Sequence, residues 1–194
     1  MKYTDKLMHG IEKQPLVKTI KEKCRVCYTC VRECPAKAIR ISGGQAEVIQ
    51  DRCIGCGNCF RVCSQQAKQV RCSKEYVFSL LASDRKTAAC LAPSFAAEFY
   101  DMDYRNLVGL LRTLGFDYVI EVAFGADLVS LQYKELVENS SAPYIATTCP
   151  AIVSYIEKYH PALVPNLAPV ASPMISAARA LHRLSKRRDQ PFVA

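Results

Sequence analysis

No apolar run in these 194 residues approaches the roughly 20 needed to cross a bilayer. The N-terminus, Met1-Lys2-Tyr3-Thr4-Asp5-Lys6, opens onto polar sequence and lacks the apolar core of a secretory signal. Together these absences argue against a membrane span and against export, so the expected location is the cytoplasm. The three histidines, His9, His160 and His182, have no metal-like spacing, which removes a histidine-based metal site. His160, standing before Pro161, reads as a helix-terminal imidazole. Aromatic residues are not interleaved with the lysines and arginines, so the net charge of +8 is not organised as a base-stacking nucleic-acid surface. What is present is half hydrophobic and 23% charged, enough to build one or two packed domains.

Cysteine is the residue in excess. Eleven in a chain without a secretion signal, an odd number, speak against a disulfide framework and for bound metal. Cys24, Cys27, Cys30 and Cys34 follow a C-x2-C-x2-C-x3-C pattern ending at Pro35, and Cys53, Cys56, Cys59 and Cys63 repeat the spacing. Three thiols at x2 spacing in a tight turn face one way and suit three irons of a cubane, whereas the cysteine after x3 points elsewhere. In a two-cluster ferredoxin each repeat lends that last cysteine to the other cluster. This assigns Cys24, Cys27, Cys30 and Cys63 to one [4Fe–4S] cluster, and Cys53, Cys56, Cys59 and Cys34 to the second. The competing reading is a pair of zinc knuckles, which rarely carry three cysteines at consecutive x2 spacing.

The residues between the ligands agree with two clusters. Gly55 and Gly57 allow backbone amides to approach sulfur. Ala36–Ile41 reads as a turn entering a strand, Gly43-Gly44 as its turn, and Ala46–Ile49 as the returning strand. Formal charge is uneven, with 11 basic against 4 acidic residues over positions 18–72, 7 against 11 over 73–178, and 5 against 1 over 179–194. Two oxidised cubanes with their thiolates bring about −4, leaving the 18–72 stretch at roughly +3, a shell suited to an acidic redox partner protein. The basic run from Arg179 to Arg188 reads as a solvated helix end. Cys72 and Cys90 fit neither repeat and are expected to be buried as small hydrophobes.

After residue 72 the pattern changes to helices alternating with short apolar strands. Helices are expected over 75–82, 106–114, 126–138 and 152–159, and strands over 87–92, 118–124 and 144–146, with Gly125 as a breaker. Such alternation implies a parallel α/β sheet, and Thr147-Thr148-Cys149-Pro150 falls after a strand's carboxyl end, where these sheets bind ligands.

The first module resembles bacterial two-cluster ferredoxins over about residues 16–72. The second half is similar to the start of the catalytic domain of the [FeFe]-hydrogenase family, through Ala92-Pro93-Ser94-Phe95, Leu114-Gly115-Phe116-Asp117, Ala123-Phe124-Gly125-Ala126-Asp127, Thr147-Thr148-Cys149-Pro150-Ala151 and Ser172-Pro173-Met174. The resemblance implies an α+β ferredoxin-like two-cluster module followed by a partial α/β iron-hydrogenase-like domain. Residues 1–15 are then an N-terminal extension, 16–72 the two-cluster domain and 73–194 the hydrogenase-like part. In that family an H-cluster is held by four cysteines in three motifs, the first reading Thr-Ser-Cys-Cys-Pro. Its last cysteine corresponds to Cys149, a possible vestigial cubane ligand, and its proton-relay cysteine corresponds to Thr148, whose hydroxyl hardly ionises at neutral pH.

The family's later Pro-Cys-x-x-Lys and Cys-x3-Cys motifs do not occur in these residues, and the strand that would precede them falls at 188–194. The resemblance therefore implies a truncated or split hydrogenase-like chain that carries electrons through two [4Fe–4S] clusters, with an H-cluster and hydrogen chemistry not expected of it alone. A redox-sensing or regulatory module, or one part of a split iron hydrogenase, is the alternative. The expected partners are a redox protein and either a complementing hydrogenase half or a regulatory protein, not nucleic acid or a membrane.

Overall fold

The structure is a computed structural model of the chain and describes residues 15–186 and 192–193. It divides into two compact units, one of residues 15–76 with 149–165, the other of residues 77–148 with 166 onward. Among the described residues no helix is long and apolar enough to cross a membrane.

The first unit is a doubled motif. β1 (Val17–Thr19) pairs antiparallel with β4 (Lys68–Val70), and β2 (Ile39–Ser42) pairs antiparallel with β3 (Gln45–Val48). The two pairs share one register, because adding 29 to Val17 gives Ala46 and subtracting 29 from Val70 gives Ile41, and both Val17↔Val70 and Ile41↔Ala46 are observed pairs. Two single-turn helices, α1 (Thr29–Arg32) and α2 (Asn58–Arg61), stand at equivalent positions in the repeat. The expected turn at Gly43-Gly44 is present, both residues in the left-handed region that the tight reversal needs. The interior is made of small side chains, Ala36, Ala38 and Ala46 with Cys30, Cys34 and Ile39. Among the described residues of the chain no large side chain is fully buried. A core this thin gains little from apolar burial and relies on something else to fill and clamp it.

The second unit has a parallel three-stranded sheet ordered β6-β5-β7, from β5 (Lys86–Leu91), β6 (Tyr118–Glu121) and β7 (Phe192–Val193). The α3 helix (Lys74–Leu81) leads into it, a four-residue α4 (Phe95–Glu98) follows β5, and α5 (Tyr104–Thr113) returns to β6. The start of α5 is capped by the Asp103 carboxylate, which accepts from Arg105 N–H at 2.7 Å. At the foot of β5 the Asp117 carboxylate accepts from Lys86 Nζ at 2.7 Å, Thr87 N–H at 2.8 Å and the Thr87 hydroxyl at 3.3 Å. The Lys86 hydrogen bond is the largest influence holding this carboxyl below its ordinary range.

Three expectations fail here. Gly125 does not end a strand. The strand stops at Glu121, and α6 (Val122–Glu138) runs straight through the glycine. Its role is spatial, because α8 (Pro173–Lys186) crosses α6 there, with Ala177 completely buried. A Cβ added at Gly125 would lie 2.0 Å from Pro173 O and 2.9 Å from Ala177 N. The expected strand over 144–146 is reduced to one parallel bridge, Ile145 with Leu167. Cys72, two residues beyond the end of β4, is exposed rather than buried. Cys90, on β5, is half-buried, and burial pushes its thiol up.

Gly125→Ala should therefore destabilise the second unit by about 1–3 kcal/mol through overpacking. Gly109→Ala, in α5 with nothing within 4 Å of the new Cβ, should stabilise by about 0.5–1 kcal/mol. Urea midpoints followed by circular dichroism of the two variants should move in opposite directions.

Candidate metal centre

Local backbone decides where the eight thiols point. In the second repeat Gly55 and Gly57 adopt positive φ of 71° and 74°, and in the first repeat Val26 and Tyr28 do the same at 53° and 61°. Positive φ is uncommon outside glycine and unfavourable for a β-branched residue. The fold imposes it at both places, because the alternation turns successive cysteines of a triplet toward one side. After the last cysteine of each repeat, Lys37 and Gln66 also take positive φ, 46° and 49°. These turns bring Ala38 N–H to 3.3 Å from Cys34 Sγ, and Ala67 N–H to 3.3 Å from Cys63 Sγ.

The outcome is two separate cavities. One is lined by Cys24, Cys27, Cys30 and Cys63 with Lys68 and Ala46. The other is lined by Cys34, Cys53, Cys56 and Cys59 with Ile39 and Val17. The fourth cysteine of each repeat thus lines a cavity together with the triplet of the other repeat. All of these cysteines are free thiols. Among the described residues no three His, Cys, Asp or Glu side chains gather tightly enough to share a single ion. A tetrahedral zinc site would draw its sulfurs to about 3.8 Å apart, given Zn–S bonds near 2.3 Å. Four thiols set around a space, with N–H groups aimed at sulfur, fit a cubane, in which each thiolate takes its own iron.

The electrostatics differ from thiol to thiol. Burial pushes the Cys30 and Cys59 thiols up, opposed in both cases by the positive charge of Lys68. The exposed Cys27 sulfur lies 3.5 Å from the Thr29 hydroxyl, which holds its thiol below the ordinary range. The halves are also tied by Asn58, whose side-chain amide donates to Glu33 O at 2.7 Å.

Residues 149–165 belong to this unit, which the sequence did not suggest. Cys149 is exposed and caps α7 (Pro150–Tyr159), with Pro150 at the first helical position. The far end of α7 is fastened to the cysteine loops. Lys158 Nζ donates to Cys53 O at 2.7 Å, and the Tyr159 hydroxyl lies between Ala36 O at 2.8 Å and Arg52 O at 2.9 Å. His160 follows as the helix C-cap, its Nε2 3.3 Å from the Tyr155 hydroxyl, as expected of a helix-terminal histidine. Polar residues at a helix end read as solvated ends, so no sequence signal distinguished Lys158 and Tyr159 as anchors.

In the second unit Thr147 and Thr148 behave differently. The Thr147 hydroxyl is directed at Ala168 O, 3.0 Å away, and Val170 O, 2.8 Å away, and its N–H donates to the Tyr133 hydroxyl at 3.1 Å. It closes the loop after the Ile145 bridge and is spent on backbone. Thr148 is exposed.

Comparison with known proteins gives a match over each part of the sequence, the hydrogenase match also taking in residues 149–165 of the first unit. The model of the iron only hydrogenase large subunit, C-terminal domain, matches residues 85–193, and that of the 4Fe-4S dicluster domain matches residues 16–64. The chain is 37% identical over 86 residues to the cytosolic Fe-S cluster assembly factor NAR1 of Yarrowia lipolytica, covering 44% of this chain and 18% of that protein. It is 32% identical over 108 residues to iron hydrogenase 1 of Clostridium pasteurianum, covering 49% and 19% respectively. The chain thus spans about a fifth of the length of these relatives. A solved [FeFe]-hydrogenase chain, from work on oxygen inactivation through modification and degradation of the H cluster 2Fe subcluster, has a TM-score of 0.51 at 24% identity. That likeness covers 60% of this chain and 35% of the other, and it speaks to the fold alone.

Removing the Tyr159 hydroxyl leaves two carbonyls without their shared donor. Tyr159→Phe should cost about 1–3 kcal/mol of stability in the first unit, read as a lower urea midpoint. An unchanged midpoint would mean that α7 is held by other contacts.

Proposed function

Because the chain belongs to the iron-only hydrogenase large-subunit family through residues 85–193 and carries a 4Fe-4S dicluster domain at residues 16–64, we propose that its first unit passes single electrons through two [4Fe–4S] clusters. The observation that carries this reading is the crossed grouping of thiols, with Cys63 in the cavity of Cys24, Cys27 and Cys30, and Cys34 in that of Cys53, Cys56 and Cys59. These eight residues are the proposed ligands.

The clusters supply a one-electron couple at each site, and the chain's residues set the conditions for it. Ala38 N–H and Ala67 N–H draw charge from the Cys34 and Cys63 sulfurs, which favours the reduced state. Val17, Ala38, Ile39 and Val48 give the second cavity an apolar wall that excludes water from its thiolates. A protein redox partner in the cytoplasm is proposed with this role, in keeping with relatives named as cytosolic factors.

Cys149 is proposed to correspond to one cubane ligand of the family's H-cluster, and Thr148 to its proton-relay position. One thiolate is insufficient where four are needed, so no hydrogen chemistry is assigned to these residues by themselves. A second reading, a redox-sensing or regulatory module, is favoured by Thr148, since a hydroxyl at that position cannot exchange a proton near neutral pH as a thiol does. Several relatives are named as cytosolic Fe-S cluster assembly factors, names that fit this second reading only loosely.

Ligand substitution tests the crossing. Cys63→Ala should lose the cluster of Cys24, Cys27 and Cys30 and keep the other, iron falling from about eight to about four per chain, and Cys34→Ala should do the reverse. Electron paramagnetic resonance of the reduced variants identifies which cluster remains. Loss of the Cys53, Cys56 and Cys59 site alone in Cys63→Ala would overturn the assignment.

A further inference from the structure

The walls of the two cavities correspond through the 29-residue repeat, Ala67 matching Ala38 and Ala46 matching Val17. The correspondence breaks five residues after the last cysteine of each repeat. Ile39 lines the cavity of Cys34, Cys53, Cys56 and Cys59, whereas Lys68 lines that of Cys24, Cys27, Cys30 and Cys63. Lys68 is only 3% exposed. Its ammonium donates to the Thr19 hydroxyl at 2.6 Å and to Ala46 O at 3.3 Å, and both partners are neutral. Among the described residues no carboxylate forms an ion pair with it.

A buried cation with only neutral partners is strongly disfavoured unless an anion lies near. The anionic groups that this interior offers are thiolates and the clusters they hold. The charge of Lys68 acts on a cysteine of each set, Cys30 of the first and Cys59 of the second. A positive charge beside a cluster favours the state with one more electron and so raises its reduction potential.

We propose that Lys68 is the built-in counter-charge of the two clusters, raising both reduction potentials and raising most that of the site whose wall it forms. An electron from a low-potential one-electron donor then settles at the Cys24, Cys27, Cys30 and Cys63 site, with no bond made or broken. This inference rests on the electron-carrying reading above and adds to it an order between the two sites. At an effective dielectric near 20, a unit charge within about 12 Å of the added electron changes the reduction equilibrium tenfold or more.

The test is a stepwise dithionite titration of the reconstituted full chain with redox mediators, each cluster followed by electron paramagnetic resonance and iron counted in parallel. Lys68→Met should make the first site harder to reduce by about tenfold, which is 59 mV for a one-electron couple, and the second site by less. Lys68→Arg, which keeps the charge, should restore both potentials. If Lys68→Met does not assemble both clusters, Lys68→Gln against Lys68→Arg reads the same charge difference between polar side chains. Full iron with unchanged potentials on loss of the charge would overturn the inference and leave the electron-carrying reading standing. A role limited to packing would lower the melting temperature and leave the potentials alone, which also overturns it. A parent chain without reducible iron would overturn both.

Discussion

The first unit depends on a single exchange. Cys34 closes the first triplet in sequence but stands in the cavity of the second, and Cys63 does the converse. If clusters are ligated there as proposed, neither half of the doubled motif can leave without breaking iron–sulfur bonds of the other. The rest of the unit is arranged around that constraint. Left-handed residues at Val26, Tyr28, Gly55 and Gly57 aim the triplets, those at Lys37 and Gln66 set a backbone N–H on the departing sulfur, and the strand pairs keep both halves in one register. The small side chains of the core follow from it too, since the space a larger residue would fill is bounded by thiols.

The same constraint explains why residues far along the chain return to this unit. The loops carrying Cys53 and the Cys34-Pro35-Ala36 turn present carbonyls that no strand satisfies, and Lys158 and Tyr159 satisfy them. Cys149 begins the helix that makes these bonds. In the second unit a different requirement governs, the close crossing of α6 and α8 at Gly125, where backbone occupies the place of a side chain.

Much of this was legible in the sequence, for identifiable reasons. Cluster ligation constrains cysteine spacing to the residue, so the doubled C-x2-C-x2-C-x3-C run stands out in the sequence, and the eight cysteines it singles out line the two cavities. Helices and strands with clear periodicity, such as α5 and β5, lie within a few residues of their expected places. What was not legible depended on tertiary contact. Gly125 looked like a strand breaker because its reason for being glycine is Pro173 O, nearly fifty residues away. Cys72 looked apolar enough to bury, but two residues beyond β4 it is exposed. Lys68 sits in the short strand Lys-Gln-Val, whose composition suggests an exposed edge, and only the position of Thr19 and Ala46 shows the ammonium turned inward.

The central claim is that eight cysteines hold two neighbouring cubanes by exchanged ligands. Its most direct measurement is electron paramagnetic resonance of the fully reduced, reconstituted chain with spin quantitation. Two clusters locked into one small unit should give about two spins per chain, with a spectrum split and broadened by their mutual coupling. A spectrum of about one uncoupled spin per chain, or a colourless chain that holds stoichiometric zinc and gives no signal, would contradict the account.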